Sequence, residues 1–127
     1  KKKEKIFLYG KNWPTKDGTC IRDFLHVMDL SEAHLLTYEH LITNKEFLIF
    51  NVGSGKGTSV LELLKTFEDT NKCNIPFEFA DKREGDVSRL VADTKLITSK
   101  LNWRIKRDLF EICKSGWSFY QKKHNIF

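Results

Sequence analysis

Two arginines and a glycine-rich turn are the residues of this chain whose type and spacing could do chemistry. Arg83 stands in Arg83-Glu84-Gly85-Asp86, where Gly85 permits a sharp turn that returns Asp86 towards Arg83. A guanidinium donates two parallel hydrogen bonds from a planar fork, which suits a diphosphate. A carboxylate such as Asp86 suits ribose hydroxyls. Arg22 lies among aromatic residues in an extended stretch, where an unpaired guanidinium is costly if buried. Both arginines have a plainer reading as structural ion pairs, and the residues alone leave the two open. The turn Gly53-Ser54-Gly55-Lys56-Gly57-Thr58-Ser59 meets neither phosphate-loop template. GxxxxGK[ST] is spoiled by Phe50 and Gly57, and GxGxxG by Thr58. Backbone amides at the start of the next helix could still face an anion; the plainer reading is that the glycines serve a tight turn.

Residues that would complete a catalytic site are not evident. Tyr-x-x-x-Lys, a proton-transfer pair of nicotinamide enzymes, is absent: four positions after Tyr9, Tyr38 and Tyr120 stand Trp13, Ile42 and His124. No GxSxG nucleophile turn occurs. Cys20, Cys73 and Cys113 are odd in number and widely spaced, and the four histidines lack metal-ligand spacing. Reduced thiols in a cytoplasmic protein, with no metal, are the expectation.

The elements that must position these residues follow from periodicity. Residues 5–9 read as a short strand, 11–19 as a turn-rich loop and 20–27 as an extended stretch. Asp29, with Glu32 three positions on, reads as the cap of a helix running to about Ile42. Residues 46–52 read as a second strand, apolar on both faces, as in a strand buried within a larger sheet. Ser59 and Glu62 form a capping box for a helix with the stripe Val60, Leu63, Leu64 and Phe67. Residues 77–80 form a further strand, Asp93 caps a short helix ending near Leu101, and Asp108 with Glu111 opens the last helix. The fold class is therefore mixed α/β, with too few strands to close a sheet alone.

Composition narrows the function classes. With 127 residues, 40% apolar and 31% charged, the chain has room for one modest domain and is not disordered. No run reaches the roughly 18 apolar residues of a membrane span. The net charge is +5, of which the first five residues carry +3, four lysines against one glutamate. The rest is only mildly basic, which argues against an extended nucleic-acid surface. The chain opens on Lys1 without an initiator methionine, and the expectation is a portion of a larger enzyme.

The residues then resemble a known family, the UDP-glucose 4-epimerases of the extended short-chain dehydrogenase/reductases. Pro14-Thr15-Lys16-Asp17-Gly18-Thr19 and Arg22-Asp23-Phe24-Leu25-His26-Val27 resemble its P-T-x-D-G-T and R-D-Y-I-H-V segments. Asn51-Val52-Gly53 with Ser59-Val60-Leu61, Arg83-Glu84-Gly85-Asp86, Ala92-Asp93 and Leu101-Asn102-Trp103 follow in the family's order and spacing. The resemblance implies that residues 1–127 are the C-terminal, UDP-sugar-binding domain of a Rossmann-type enzyme. NAD and the Tyr-x-x-x-Lys pair would belong to an N-terminal domain absent here, so the fragment alone would be inactive. It further implies Arg22 and Arg83 on the diphosphate, Asp86 on the ribose, and Tyr9 and Val60 around the uridine. Phe24 replaces a usual tyrosine and loses its hydroxyl. Leu90 stands where members restricted to plain hexoses carry tyrosine. A UDP-hexose substrate, a homodimer, and no nucleic acid or membrane partner are implied for the whole enzyme. Two alternatives remain: another UDP-sugar epimerase or decarboxylase of the superfamily, and an anion- or nucleic-acid-binding module using the lysines at the start.

Overall fold

A computed structural model describes residues 4–124. Lys1, Lys2 and Lys3, part of the basic start considered above, lie outside the described residues. Five short strands and four helices follow one another as β1 (Ile6–Tyr9), β2 (Ile21–Arg22), α1 (Val27–Asn44), β3 (Thr58–Ser59), α2 (Val60–Asn71), β4 (Phe77–Ala80), β5 (Arg89–Leu90), α3 (Lys95–Leu101) and α4 (Leu109–His124). The strands make two small sheets. β1 pairs in parallel with β4, Ile6 opposite Phe77. The central β2 runs antiparallel to β3 and parallel to β5, with Arg22 opposite both Thr58 and Leu90. This second sheet gathers residues about 35 and 70 positions apart into one ladder, and it positions the candidate site.

Two apolar contacts hold the layers. Ala33, Ile97 and Trp103 are almost wholly buried, and Leu25, Leu36, Phe50, Val52, Leu101 and Ile105 pack around them. The Trp103 indole donates to the Asp29 carbonyl at 3.1 Å, which satisfies its polar edge as burial requires. On the other side α2 packs along α4, with Phe67 edge-on to Trp117 at 5.8 Å and Cys113 buried beneath. Burial pushes the Cys113 thiol upward in pKa. It is therefore a packing group rather than a nucleophile.

Several local expectations match. The Ser59–Glu62 capping box is complete. Asp108 and Glu111 exchange a second one, at 3.0 and 3.1 Å, ahead of α4. Four expectations need correction. The N-cap of α3 is Thr94 and not Asp93, although the Asp93 carboxylate, one residue earlier, accepts from the Lys95 amide at 3.0 Å. α1 is capped by His26, whose ring accepts from the Met28 amide at 3.0 Å, and not by Asp29. Asp29 is instead fully buried and accepts from the amides of Lys106 and Arg107 at 3.2 and 3.1 Å and from the Arg107 guanidinium at 2.5 Å. A distant cation and two loop amides outbid the local cap. The extended stretch 20–27 forms ladder only at β2, because α1 begins at Val27.

The fourth correction is the strand expected at 46–52, which is not one. Its exposure alternates with period two: Phe47 and Ile49 are 85% and 75% exposed, while Phe50 and Val52 pack on the core. Among the described residues these seven make no backbone-to-backbone hydrogen bond. A strand is defined by a partner, and this segment has none among the described residues.

Candidate functional site

β2, the central strand, places Arg22 between β3 and β5, and the turn after β4 delivers Arg83 and Asp86. Gly85 adopts a φ of +80°, which a side chain would resist. The Asp86 amide closes the turn on the Arg83 carbonyl at 3.2 Å. Arg83 Nε then donates to Asp86 Oδ2 at 3.0 Å, and its Nη2 to Oδ1 at 3.4 Å. Arg22 reaches the same carboxylate, Nη2 to Oδ1 at 3.4 Å, while its Nη1 is held by the carbonyls of Ile21 and Val87 at 2.9 Å each. One aspartate thus lies between two guanidinia. The Arg83 side chain is 59% exposed, Arg22 and Asp86 only 22% and 18%. Arg22 does not pair with Asp23, its chain neighbour, since adjacent strand residues face opposite ways.

Arg83 also stacks over the Tyr9 ring, 4.6 Å from its centroid, a cation–π contact. Tyr9, Val60 and Arg83 line one hollow of about 270 Å³ together with Phe7, Thr19 and Cys20. Arg22 and Leu90 line a second hollow of about 360 Å³, beside Asn51, Val52 and Ala92. The structure therefore brings Tyr9, Val60, Arg83, Asp86, Arg22 and Leu90 into one region spanning two adjoining hollows. Phe24, half-buried just beyond β2, lines neither.

The glycine-rich turn has its anion already. Asp23 Oδ1 accepts from the Ser54 amide at 2.7 Å and its hydroxyl at 2.6 Å, and Oδ2 from the Gly55 amide at 3.0 Å. The Ser54 and Gly55 amides are filled by an internal carboxylate, and those that open α2 by the Cys20 carbonyl and the Thr19 and Ser59 hydroxyls. The glycines serve close approach and a turn: Gly55 has φ +71°, and a Cβ at Gly53 would stand 2.5 Å from Asp23 Oδ2. The reach of Asp23 was missed in the sequence, where it entered only as part of the segment from Arg22 to Val27. Strand alternation was the available signal, since it aims Asp23 away from Arg22 and towards the turn.

A neighbouring carboxylate works in the same manner. Asp17 accepts from the Thr19 amide and hydroxyl at 2.9 and 2.8 Å and from the Ser59 hydroxyl. Burial pushes its pKa up, but the hydrogen bonds from Ser59 and Thr19 outweigh that and hold it below the ordinary carboxylate range.

Comparison with known proteins places this geometry in context. The family model described as GDP-mannose 4,6 dehydratase matches residues 1–116. The UDP-glucose 4-epimerase of Bacillus subtilis (strain 168) is 38% identical over 124 residues, covering 98% of this chain and 37% of that protein. Among solved structures, the UDP-glucose 4-epimerase of Stenotrophomonas maltophila with bound NAD and formylated UDP-arabinopyranose superposes with a TM-score of 0.92 at 33% identity. It covers 97% of this chain and 37% of its own. The UDP-Glc/GlcNAc 4-epimerase of Campylobacter jejuni gives 0.83 at 40% identity, covering 94% and 36%. The chain spans about a third of the length of the relatives it matches, and its mixed α/β fold corresponds to their C-terminal portion.

Proposed function

The chain belongs to the family described as GDP-mannose 4,6 dehydratase, and from that premise we propose that it is the UDP-binding portion of a UDP-glucose 4-epimerase. In this reading residues 1–127 are the substrate-binding domain, and the rest of the enzyme supplies the nucleotide-binding sheet. The whole enzyme, a cytoplasmic homodimer, interconverts UDP-glucose and UDP-galactose. NAD supplies the hydride chemistry at sugar C4. The residues of this chain do not fit NAD: the one glycine-rich turn spends its amides on Asp23, and no tyrosine–lysine pair is spaced for proton transfer. This portion alone is accordingly inactive.

The observation that carries the reading is the chain Arg22–Asp86–Arg83 beside Tyr9. Two guanidinia share one carboxylate, so one positive charge is left for an anionic ligand, and paired arginines suit a diphosphate. Asp86 Oδ2 retains one lone pair for a ribose hydroxyl. The ring of Tyr9 and the methyls of Val60 offer a flat apolar seat for uracil in the smaller hollow. Leu90, in the larger one, meets the sugar. Phe24 lies outside both hollows and adds nothing to the contact.

UDP titrated by calorimetry into the full-length protein and its Arg83→Ala variant tests this. Truncation should cost about 1.5–3 kcal/mol, the worth of hydrogen bonds to a charged group, or roughly one to two decades of affinity. Equal affinity in the two proteins sinks the assignment. Turnover of UDP-galactose, UDP-N-acetylgalactosamine and UDP-glucuronate separates the epimerase from related enzymes. Salt-sensitive binding of an oligonucleotide would instead favour the nucleic-acid module.

A further inference from the structure

Asp17 stands in the loop between β1 and β2 and lines neither hollow. Its carboxylate nevertheless joins two segments that form one wall of the Tyr9 hollow: Thr19 and Cys20, which end the loop, and Val60, the first residue of α2. Oδ1 of Asp17 accepts from the amide and hydroxyl of Thr19 at 2.9 and 2.8 Å, and Oδ2 from the Ser59 hydroxyl. Each hydroxyl spends its proton on Asp17, so its oxygen is free to accept a helix amide. Thr19 Oγ1 takes that of Leu61 at 3.2 Å, and Ser59 Oγ that of Glu62 at 3.0 Å. The Val60 amide donates to the Cys20 carbonyl at 3.1 Å. The first three amides of α2 are thus satisfied, two of them by hydroxyls that Asp17 orients. Thr19 and Ser59 are buried, where a hydroxyl without an acceptor is costly. The ladder beside them pairs only two residues of β2 with β3, too few to fix this junction alone.

We propose that Asp17 is a positioning residue for the nucleobase: it locks the start of α2 onto the end of the loop, and so holds Val60 and Thr19 at the spacing that seats a pyrimidine beside Tyr9. The inference rests on the UDP reading above. Asp17 shares no hydrogen bond with Arg22, Arg83 or Asp86, whose bonds are to one another and to the carbonyls of Ile21 and Val87. Loss of its carboxylate therefore loosens the seat of the base and leaves the paired arginines as they are.

The test measures the dissociation constants of UDP and ADP for the full-length protein and its variants Asp17→Ala and Asp17→Asn. Asp17→Ala should bind UDP about tenfold more weakly, the scale of one lost contact in an apolar pocket, and ADP within about twofold of wild type. Asp17→Asn should recover most of that loss, since its carbonyl still accepts from Thr19 and its NH2 can donate to Ser59 Oγ. Both nucleotides carry the same diphosphate, so a disturbance that reached the arginines, or the fold as a whole, would weaken both alike. An unchanged ratio of UDP to ADP affinity overturns the proposal. A wild type that binds the two equally has no pyrimidine seat to hold, and overturns it as well. Amide hydrogen exchange in the ligand-free wild type keeps the idea testable even if the variants fail to fold. The Leu61 and Glu62 amides should be protected, and rapid exchange at Leu61 overturns the role of Asp17. Failure of the wild type to bind UDP at all removes the UDP reading and this inference with it, whereas a wild type and an Asp17→Ala variant that bind UDP equally well remove the inference alone.

Discussion

Ser54 and Gly55 have their amides held by Asp23 at 2.7 and 3.0 Å, whereas residues 46–52, just before them, bond no backbone group among the described residues. Both stretches lack regular ladder, yet they answer the same physical demand in opposite ways. A buried or half-buried amide needs a partner. Around the candidate site that partner is a carboxylate: Asp17 for Thr19, Asp23 for the turn and Ala92, Asp29 for Lys106 and Arg107. These loops are complete within the chain. Residues 46–52 carry two exposed aromatic and aliphatic side chains, Phe47 and Ile49, over a bare backbone. Beside them α1 also exposes Leu35, Tyr38 and Ile42. The site region is finished by side chains on hand; among the described residues, the 46–52 backbone is not.

The comparison can be broken most forcefully at Phe47. In the 127-residue chain Phe47→Ala should change stability by no more than about 0.5 kcal/mol, as at any exposed position. In the full-length protein, where a sheet neighbour would cover it, the same change should cost about 3 kcal/mol or more. Equal small losses in both chemical denaturation curves would mean that the segment is a free surface loop. Next in size is Asp29→Ala, expected to cost about 3 kcal/mol because it strands the Arg107 guanidinium and two loop amides. A urea midpoint unmoved by this change would show that carboxylates do not hold these loops. Smaller still is Ser59→Ala, which removes the helix cap and the hydroxyl donated to Asp17, at about 1 kcal/mol. Combined with Asp17→Ala it should prove non-additive, since the two side chains share a hydrogen bond.

The smallest effect is a pH dependence confined to the site half. Asp17 titrates below its ordinary value of 3.8 in the folded protein, so the unfolded chain binds the proton more readily. Its contribution is complete above the unfolded value and is lost as pH falls through the folded one. Asp17→Asn should flatten the acid limb of the stability profile below the ordinary carboxylate value of 3.8. Phe47→Ala should leave that limb's slope unchanged. An identical slope in wild type and Asp17→Asn would remove Asp17 from the account.

Much of the local structure was legible in the residues. The two capping boxes and the turn returning Asp86 to Arg83 each involve groups three positions apart, and their geometry is set by chain connectivity. The gathering of Arg22, Arg83, Asp86, Tyr9, Val60 and Leu90 was legible only through family resemblance. Periodicity places each on an element, yet nothing in it says that β2 and β5 are adjacent. Where local reasoning failed, a distant partner had won. Asp29 has the type and position of a cap, but Arg107, 78 positions later, supplies a stronger one. Residues 46–52 have the pattern of a strand and lack the neighbour that would make them one.

The sequence by itself determined the caps of α2 and α4, turn chemistry and the charge types available at the candidate site, because those depend on contacts within a few residues. Only the tertiary structure decided which carboxylate serves which amide. Asp23 holds a turn some 30 residues away and the segment after β5, 69 residues away, and that choice is made by packing, which brings donors within hydrogen-bond reach regardless of their order along the chain.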